Sequence, residues 1–321
     1  MSYFDVTGGP VCGAARRGRR ESYPWGMDNV SGTNHVDQIG SDLLIGSAPA
    51  LLADLELALE LADQADQITT ARFLSQDLAV ERKADMTLVS DADRAVEDAI
   101  RERLREARPG DSILGEERGQ EGDSPRRWIV DPIDGTHNFV RGVPVWATLI
   151  ALTQGKEIAV GVVSAPMLGR RWWAAQGQGA YVATSHSADF RQAPPRRITV
   201  SKVGALKDAF FSYSSLKGWV TAGRGSELDS LMNTVWRTRG FGDFWSYMLV
   251  AEGAVDAAAE PELSLYDMAA LVPIVKEAGG KFTSLDGKPG PWGGNAVATN
   301  ALLHSQVLEH LGTESCEGGD D

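Results

Sequence analysis

The spacing of apolar and polar residues changes period along the chain, and the changes mark out the elements. Between Pro49 and Leu74, Leu51, Leu55, Leu57, Leu59, Leu61, Ala65 and Ile68 fall on one broad face at helical spacing, with acids between them. This predicts a long packing helix. A second helix is predicted from Asp91 to Ala107, opened by Asp91 as its cap and closed by Pro109-Gly110. Between them, Met86 to Ser90 reads as a short strand. Ser112 to Gly115 reads as another and ends in Glu116-Glu117. Trp128 to Val130 is an apolar run, predicted to be a buried strand that stops at Asp131-Pro132 because proline donates nothing to a ladder. Asp134-Gly135-Thr136 then reads as a turn that opens a helix.

Downstream the period shortens. Trp146 to Gln154 and Glu157 to Ser164 alternate as antiparallel strands around Gly155-Lys156. Arg171 to Ala175 and a Gly-punctuated hairpin at Gly177 to Tyr181 continue the meander, with Trp172 and Trp173 read as sheet packing. A Pro/Arg-rich linker follows at Ala193 to Arg197. Strands and helices then alternate: strand from Phe210, helix from Glu227, strand from Thr238, helix from Trp245, strand from Val255. A helix is predicted from Met268 to Ala278, closed by Gly279-Gly280 and bent by the internal Pro273. Strands at Lys281 and Ala296 and a helix from Ala301 to Leu311 complete the pattern. Alternation of this kind predicts an α/β layered fold.

Residues 1–43 are rich in Gly, Arg, Ser and Asn without periodicity, and read as a disordered extension; residues 313–321 read as a disordered acidic tail. The rest divides into an N-terminal half, 44–190, and a C-terminal half, 191–312. Composition adds exclusions. At 321 residues, 43% hydrophobic and 23% charged, the chain is an ordinary globular sequence. A net charge of −13 argues against nucleic acid as a partner, since no basic excess exists to neutralise its phosphates. Cys12 and Cys316 lie near the ends, and the 5 histidines show no paired metal-ligand spacing, so disulfide frameworks and zinc sites are not expected. The arginines around Arg16 precede no apolar segment, and no run is long enough to cross a membrane; the cytoplasm is the expected compartment.

The candidate chemistry is concentrated at Asp131-Pro-Ile133-Asp134-Gly135-Thr136. A strand end followed by a helix start places carboxylates beside unpaired backbone N–H groups that can hold an anion. Carboxylates and a phosphate about 4 Å apart repel by roughly 4 kcal/mol at an effective dielectric near 20, so a cation must sit between them. Ligands that are all oxygen point to Mg²⁺.

Together Gly115-Glu116-Glu117, Asp131-Pro-Ile-Asp134-Gly-Thr136, Tyr266-Asp267-x-Ala-Ala and Glu277-Ala-Gly-Gly resemble the inositol monophosphatase family, over about residues 50 to 312. The resemblance implies the layered α-β-α-β-α sandwich shared with fructose-1,6-bisphosphatase, two or three Mg²⁺ per site, sensitivity to lithium, and a homodimer. Carried over by position, it implies metal ligation by Glu116, Asp131, Asp134, Asp267 and the Ile133 carbonyl. It pairs Asp91 with Thr136 to orient a metal-activated water for in-line attack, beside Glu116. The phosphate would lie on the amides of Gly135 and Thr136, and Glu260 matches an acid that contacts the leaving group. Two departures stand out: Tyr266 replaces the usual Trp, and His137 follows Gly-Thr.

Phe139 to Trp146, Arg170 to Ala175, Gly242-Asp243-Phe244 and Leu249 to Asp256 are similar to the actinobacterial histidinol-phosphate phosphatase branch. L-Histidinol phosphate is therefore the favoured substrate, with Asp243 or Glu260 as the anionic partner of its amine. Phosphatases acting on inositol phosphate, fructose bisphosphate or 3′-phosphoadenosine 5′-phosphate would share the metal ligands. A non-catalytic metal-binding regulatory protein would need neither Asp91 nor Thr136. A nucleotide-binding protein would need a longer Gly-rich loop than Gly177-x-Gly179 or Gly223-Arg-Gly225.

Overall fold

Near-continuous burial of the central strands, on both faces, produces five layers. The computed structural model describes residues 49–84, 86–186 and 189–312. The expectations for residues 1–43 and for the tail at 313–321 lie outside these. The first layer holds helices α1 (Pro49–Arg72) and α2 (Asp91–Ala107). They cover one face of an eight-stranded sheet in the order β10-β9-β8-β7-β6-β5-β3-β4. Its strands are β3 (Ser112–Gly115), β4 (Gly119–Glu121), β5 (Arg126–Asp134), β6 (Ala147–Gln154), β7 (Glu157–Ala165), β8 (Arg170–Ala175), β9 (Ala180–Thr184) and β10 (Arg196–Ile198). Trp128 and Val130 of β5 point to the first helical layer, and Ile129 between them points to the opposite face.

That opposite face packs on α6 (Asp243–Ala251), α7 (Leu265–Ala269) and α8 (Leu271–Glu277). Beyond them lies a five-stranded sheet in the order β12-β11-β13-β15-β14. It comprises β11 (Phe210–Tyr213), β12 (Arg237–Arg239), β13 (Ala257–Glu260), β14 (Lys281–Thr283) and β15 (Ala296–Thr299). Its far face is closed by α4 (Leu216–Thr221), α5 (Gly225–Met232) and α9 (His304–Leu311), through Trp219, Leu228, Leu231, Val307 and Leu311. The order is therefore α-β-α-β-α, as the family resemblance implies. The described residues belong to one compact unit.

Several local expectations change. The β5 strand does not stop at Pro132; it runs to Asp134 through an irregularity between Asp131 and Asp134. The proline is tolerated because the ladder is already broken there, and its carbonyl accepts a hydrogen bond from Thr148 Oγ1 at 2.8 Å. The helix expected from Met268 to Ala278 is two, α7 and α8, joined at Ala270. Pro273 has no N–H to give the Ala269 carbonyl, so the ladder breaks where the sequence predicts only a bend. Asp91 is not the cap of α2. Ser90 is: its Oγ accepts from the Ala92 N–H at 3.2 Å, and the Ser90 N–H donates to Asp93 Oδ2 at 2.8 Å. Trp173 stacks on Tyr181 at 6.1 Å, in keeping with sheet packing. The short elements β1 (Val80–Arg82), β4, β10 and α4 carry no clear periodicity and are visible only in three dimensions.

Gly161 of β7 marks the closest approach of sheet and helices. A Cβ there would run into the Ala270 carbonyl oxygen and lie 2.6 Å from Pro273 Cγ. Both neighbours are rigid. Gly161→Ala is therefore expected to lower stability by about 1–3 kcal/mol, read as an earlier midpoint in urea unfolding. An unchanged midpoint would show that α8 is not pinned to β7 at this point.

Candidate active site

The broken end of β5 delivers Asp131, Ile133 and Asp134 to a cleft of about 610 Å³. Gly135 follows in the left-handed region, at φ +81, and opens the short helix α3 (Thr136–Val140). A side chain at Gly135 would meet the Val145 carbonyl at 3.1 Å as well as strained backbone. Asp267 arrives from the other half of the chain, in the first turn of α7. Its Oδ2 accepts from the Ser264 N–H at 2.7 Å. The ligand oxygens of Asp131, Asp134 and Asp267 all lie within 4.8 Å of one another.

Such a cluster is electrostatically unfavourable by itself. Burial pushes the carboxyls of Asp131 and Asp134 well above the usual range, and neighbouring acids push further, Glu116 first for Asp131 and Asp243 first for Asp134. Asp267 is raised to about 7, mainly by burial. Asp131 is 1% exposed and its Oδ1 has no hydrogen-bond partner. Lys83 Nζ sits 2.9 Å from Glu116 Oε1 and 2.5 Å from Glu117 Oε1, but among the described residues no ion pair reaches Asp131, Asp134 or Asp267. An orphaned buried carboxylate oxygen among like charges suits a hard divalent cation. Glu116 and Ile133 line the same cleft as the three aspartates, and the Ile133 carbonyl accepts from Thr136 Oγ1.

The expected Asp91–Thr136 pair is not formed. Thr136 Oγ1 lies 3.1 Å from Asp93 Oδ1 and 2.9 Å from the Ile133 carbonyl. Asp91, two residues earlier, turns away and pairs with Arg72 at 2.6 Å. Successive helical positions lie about 100° apart, so Asp91 and Asp93 face nearly opposite ways. Asp93 is buried, which raises its carboxyl, and Ser90 opposes that rise. The signal was present: Ser90-x-x-Asp93 has the spacing of a capping box.

Asp243 and Glu260 both line the cleft. Asp243 holds a left-handed backbone, φ +49, which turns the next N–H, of Phe244, onto Asp134 Oδ2 at 2.7 Å. Asn138 of α3 donates to Asp243 Oδ2 at 3.2 Å and to the Val145 carbonyl at 2.9 Å, tying the two halves together. Burial raises the Asp243 carboxyl and the nearby His137 lowers it. Glu260 is pushed up to about 8, chiefly by burial. Asp93, Asn138, Lys83 and Tyr247 are site residues that sequence reasoning missed.

The model of the inositol monophosphatase family matches residues 53–315. The chain belongs to the inositol monophosphatase family. Within this family it is 57% identical to the histidinol-phosphatase of Streptomyces coelicolor, over 82% of this chain and 98% of that protein. The histidinol-phosphatase of Mycobacterium tuberculosis is 56% identical, over 80% and 97%. Among solved structures, the extragenic suppressor protein of Bartonella henselae superposes with a TM-score of 0.71 at 31% identity, covering 81% of this chain and 98% of that one. Among the described residues no helix is long and apolar enough to cross a membrane.

The raised carboxyls give the site a defined pH response. Their folded-state values lie above those of an unfolded chain, so the folded protein binds more protons, and cation-free stability falls as pH rises from the ordinary carboxylate range to about 7 at Asp267. A divalent cation binds the deprotonated acids and reverses this loss. The rise in Tm on adding Mg²⁺ is therefore expected to be larger at pH 8 than at pH 6 in scanning calorimetry. Equal rises at both pH values would separate these acids from the cation.

Proposed function

We propose that this chain is a Mg²⁺-dependent phosphomonoesterase that converts L-histidinol phosphate and water to L-histidinol and phosphate in histidine synthesis. The observation that carries the reading is identity of 56% and 57% to histidinol-phosphatases over nearly their whole length, in a chain whose cleft places Asp243 beside the acid cluster.

Asp131, Asp134 and Asp267 would hold the metal, with Glu116 and the Ile133 carbonyl on its flank. Bound Mg²⁺ supplies a Lewis acid for the phosphoryl oxygens and lowers the pKa of water. Thr136 has one hydroxyl proton, which goes to Asp93 or to the Ile133 carbonyl. Its lone pairs are left to accept from the attacking water and aim that water's own lone pair at phosphorus. The N–H groups of Gly135 and Thr136 offer the phosphate a nest beside the metal. Asp243 and Glu260 face the remainder of the substrate and offer negative charge to its amine.

Asp93→Asn and Asp91→Asn separate the two candidate partners of Thr136. The first is expected to lower kcat by about 10²–10⁴-fold, the range of a lost acid–base contact, and the second to change it little. The reverse order would restore Asp91 as the partner. The substrate is tested by phosphate release from L-histidinol phosphate against inositol 1-phosphate, with Mg²⁺ and with lithium added. Preference for the first is expected, and Asp243→Asn should erode that preference while sparing p-nitrophenyl phosphate. Faster release from inositol 1-phosphate would overturn the assignment.

A further inference from the structure

Two buried oxygens of residues that line the cleft lack a hydrogen bond of ordinary geometry. Tyr247 is 1% exposed and Glu260 is 7% exposed; both line the cleft, and neither Tyr247 Oη nor Glu260 Oε1 completes a hydrogen bond of ordinary geometry. The groups are neighbours all the same: the Tyr247 hydroxyl and the Glu260 carboxyl act on each other, and Ser214 also reaches Glu260. Tyr247 lies four residues after Asp243 on α6, so the two share a helix face, with the phenol one turn further in. Its ring packs at 5.7 Å from Phe282, which holds the hydroxyl in place. Glu260 comes from the end of β13, in the other sheet.

Buried polar atoms are paired almost without exception, so two adjacent cleft-lining groups whose oxygens Oη and Oε1 lack a hydrogen bond of ordinary geometry point to a ligand group that completes them. The chemistry of that group follows from what each oxygen lacks. A glutamate oxygen accepts, and a phenol can donate one hydrogen bond and accept another. A protonated amine has donors for both oxygens and carries the charge that offsets Glu260; a neutral hydroxyl can bridge them but leaves the carboxylate uncompensated.

We propose that the Tyr247 hydroxyl is a specificity-determining group, which with Glu260 forms a buried polar floor that receives the amine-bearing part of the substrate. This rests on the histidinol phosphate reading and extends it from the acids at the cleft wall to an uncharged group beneath them. The amine then donates to Glu260 and Tyr247 at once, while the phosphate stays on the acid cluster. Asp243 holds the same portion of the substrate from one turn above.

Tyr247→Phe removes one oxygen and keeps the ring on Phe282. With Mg²⁺ present, kcat/KM for L-histidinol phosphate is expected to fall about tenfold or more, mostly through KM, because buried partners are left unpaired. Release from p-nitrophenyl phosphate, which has no amine, should stay within about twofold of the parent. Inhibition by L-histidinol should weaken, and inhibition by inorganic phosphate should not. Equal losses on both substrates, or no loss on either, overturn the proposal. If Tyr247→Phe fails to fold, Glu260→Gln, which removes the charge at the same floor, must produce the same split between substrates or the proposal is wrong. A parent enzyme that prefers inositol 1-phosphate removes the functional reading and this one with it. A parent that prefers histidinol phosphate, with an indifferent Tyr247→Phe, removes the role of Tyr247 alone.

Discussion

Mutual repulsion among buried carboxylates is the constraint on which the site depends. Asp131, Asp134 and Asp267 bring their oxygens within 4.8 Å of one another, and Glu116 and Asp243 add to the same field. In water such a group would spread apart. Here the backbone does not allow it: Asp131 and Asp134 sit on either side of a broken ladder in β5, and Asp267 is held in the first turn of α7 by the Ser264 N–H. The layers hold the acids together against their charge, and a cation then gains from a geometry already prepared for it. This is preorganisation at a cost in stability, the usual arrangement at a functional site.

The same layers explain why the site is shared between both halves of the chain. The eight-stranded sheet supplies β5, and the helices against its inner face supply Asp243 and Asp267. Two hydrogen bonds stitch the parts together at the site itself. The Phe244 N–H reaches Asp134, and the Asn138 amide reaches Asp243. Because Asp243 holds its strained backbone between them, the acid cluster and the neighbouring wall of the cleft share one short segment. The Thr136–Asp93 contact adds a third join, from the first helical layer.

Glu260 and Tyr247 extend this arrangement inward. Burial pushes Glu260 up to about 8, and burial with the nearby Glu260 pushes Tyr247 well above its ordinary range. Cores avoid such groups unless a ligand completes them. Their place between the two sheets gives the cleft a polar floor under an acidic wall, suited to a small cation joined to a phosphate.

Much of this was legible in the chain itself. Helical and strand periods placed α1, α2, β5 to β8 and α6, since burial on one face imposes a period that local sequence carries. The acid cluster at Asp131 and Asp134 was legible too, from residue type and spacing beside a helix start, whereas Glu116 and Asp267 entered only through the resemblance to the family. What lay beyond the sequence was set by geometry over long separations. Asp91 and Asp93 are both first-turn acids, and only the rotation of α2 against α3 decides that Asp93 meets Thr136 while Asp91 meets Arg72. The passage of β5 through Pro132 and the unpaired oxygens of Tyr247 and Glu260 have the same origin. The strand passage and the unpaired oxygens depend on what packs against a residue from elsewhere in the chain, of which a linear pattern holds no record; the helix break has a local cause in Pro273, and only its extent was misjudged.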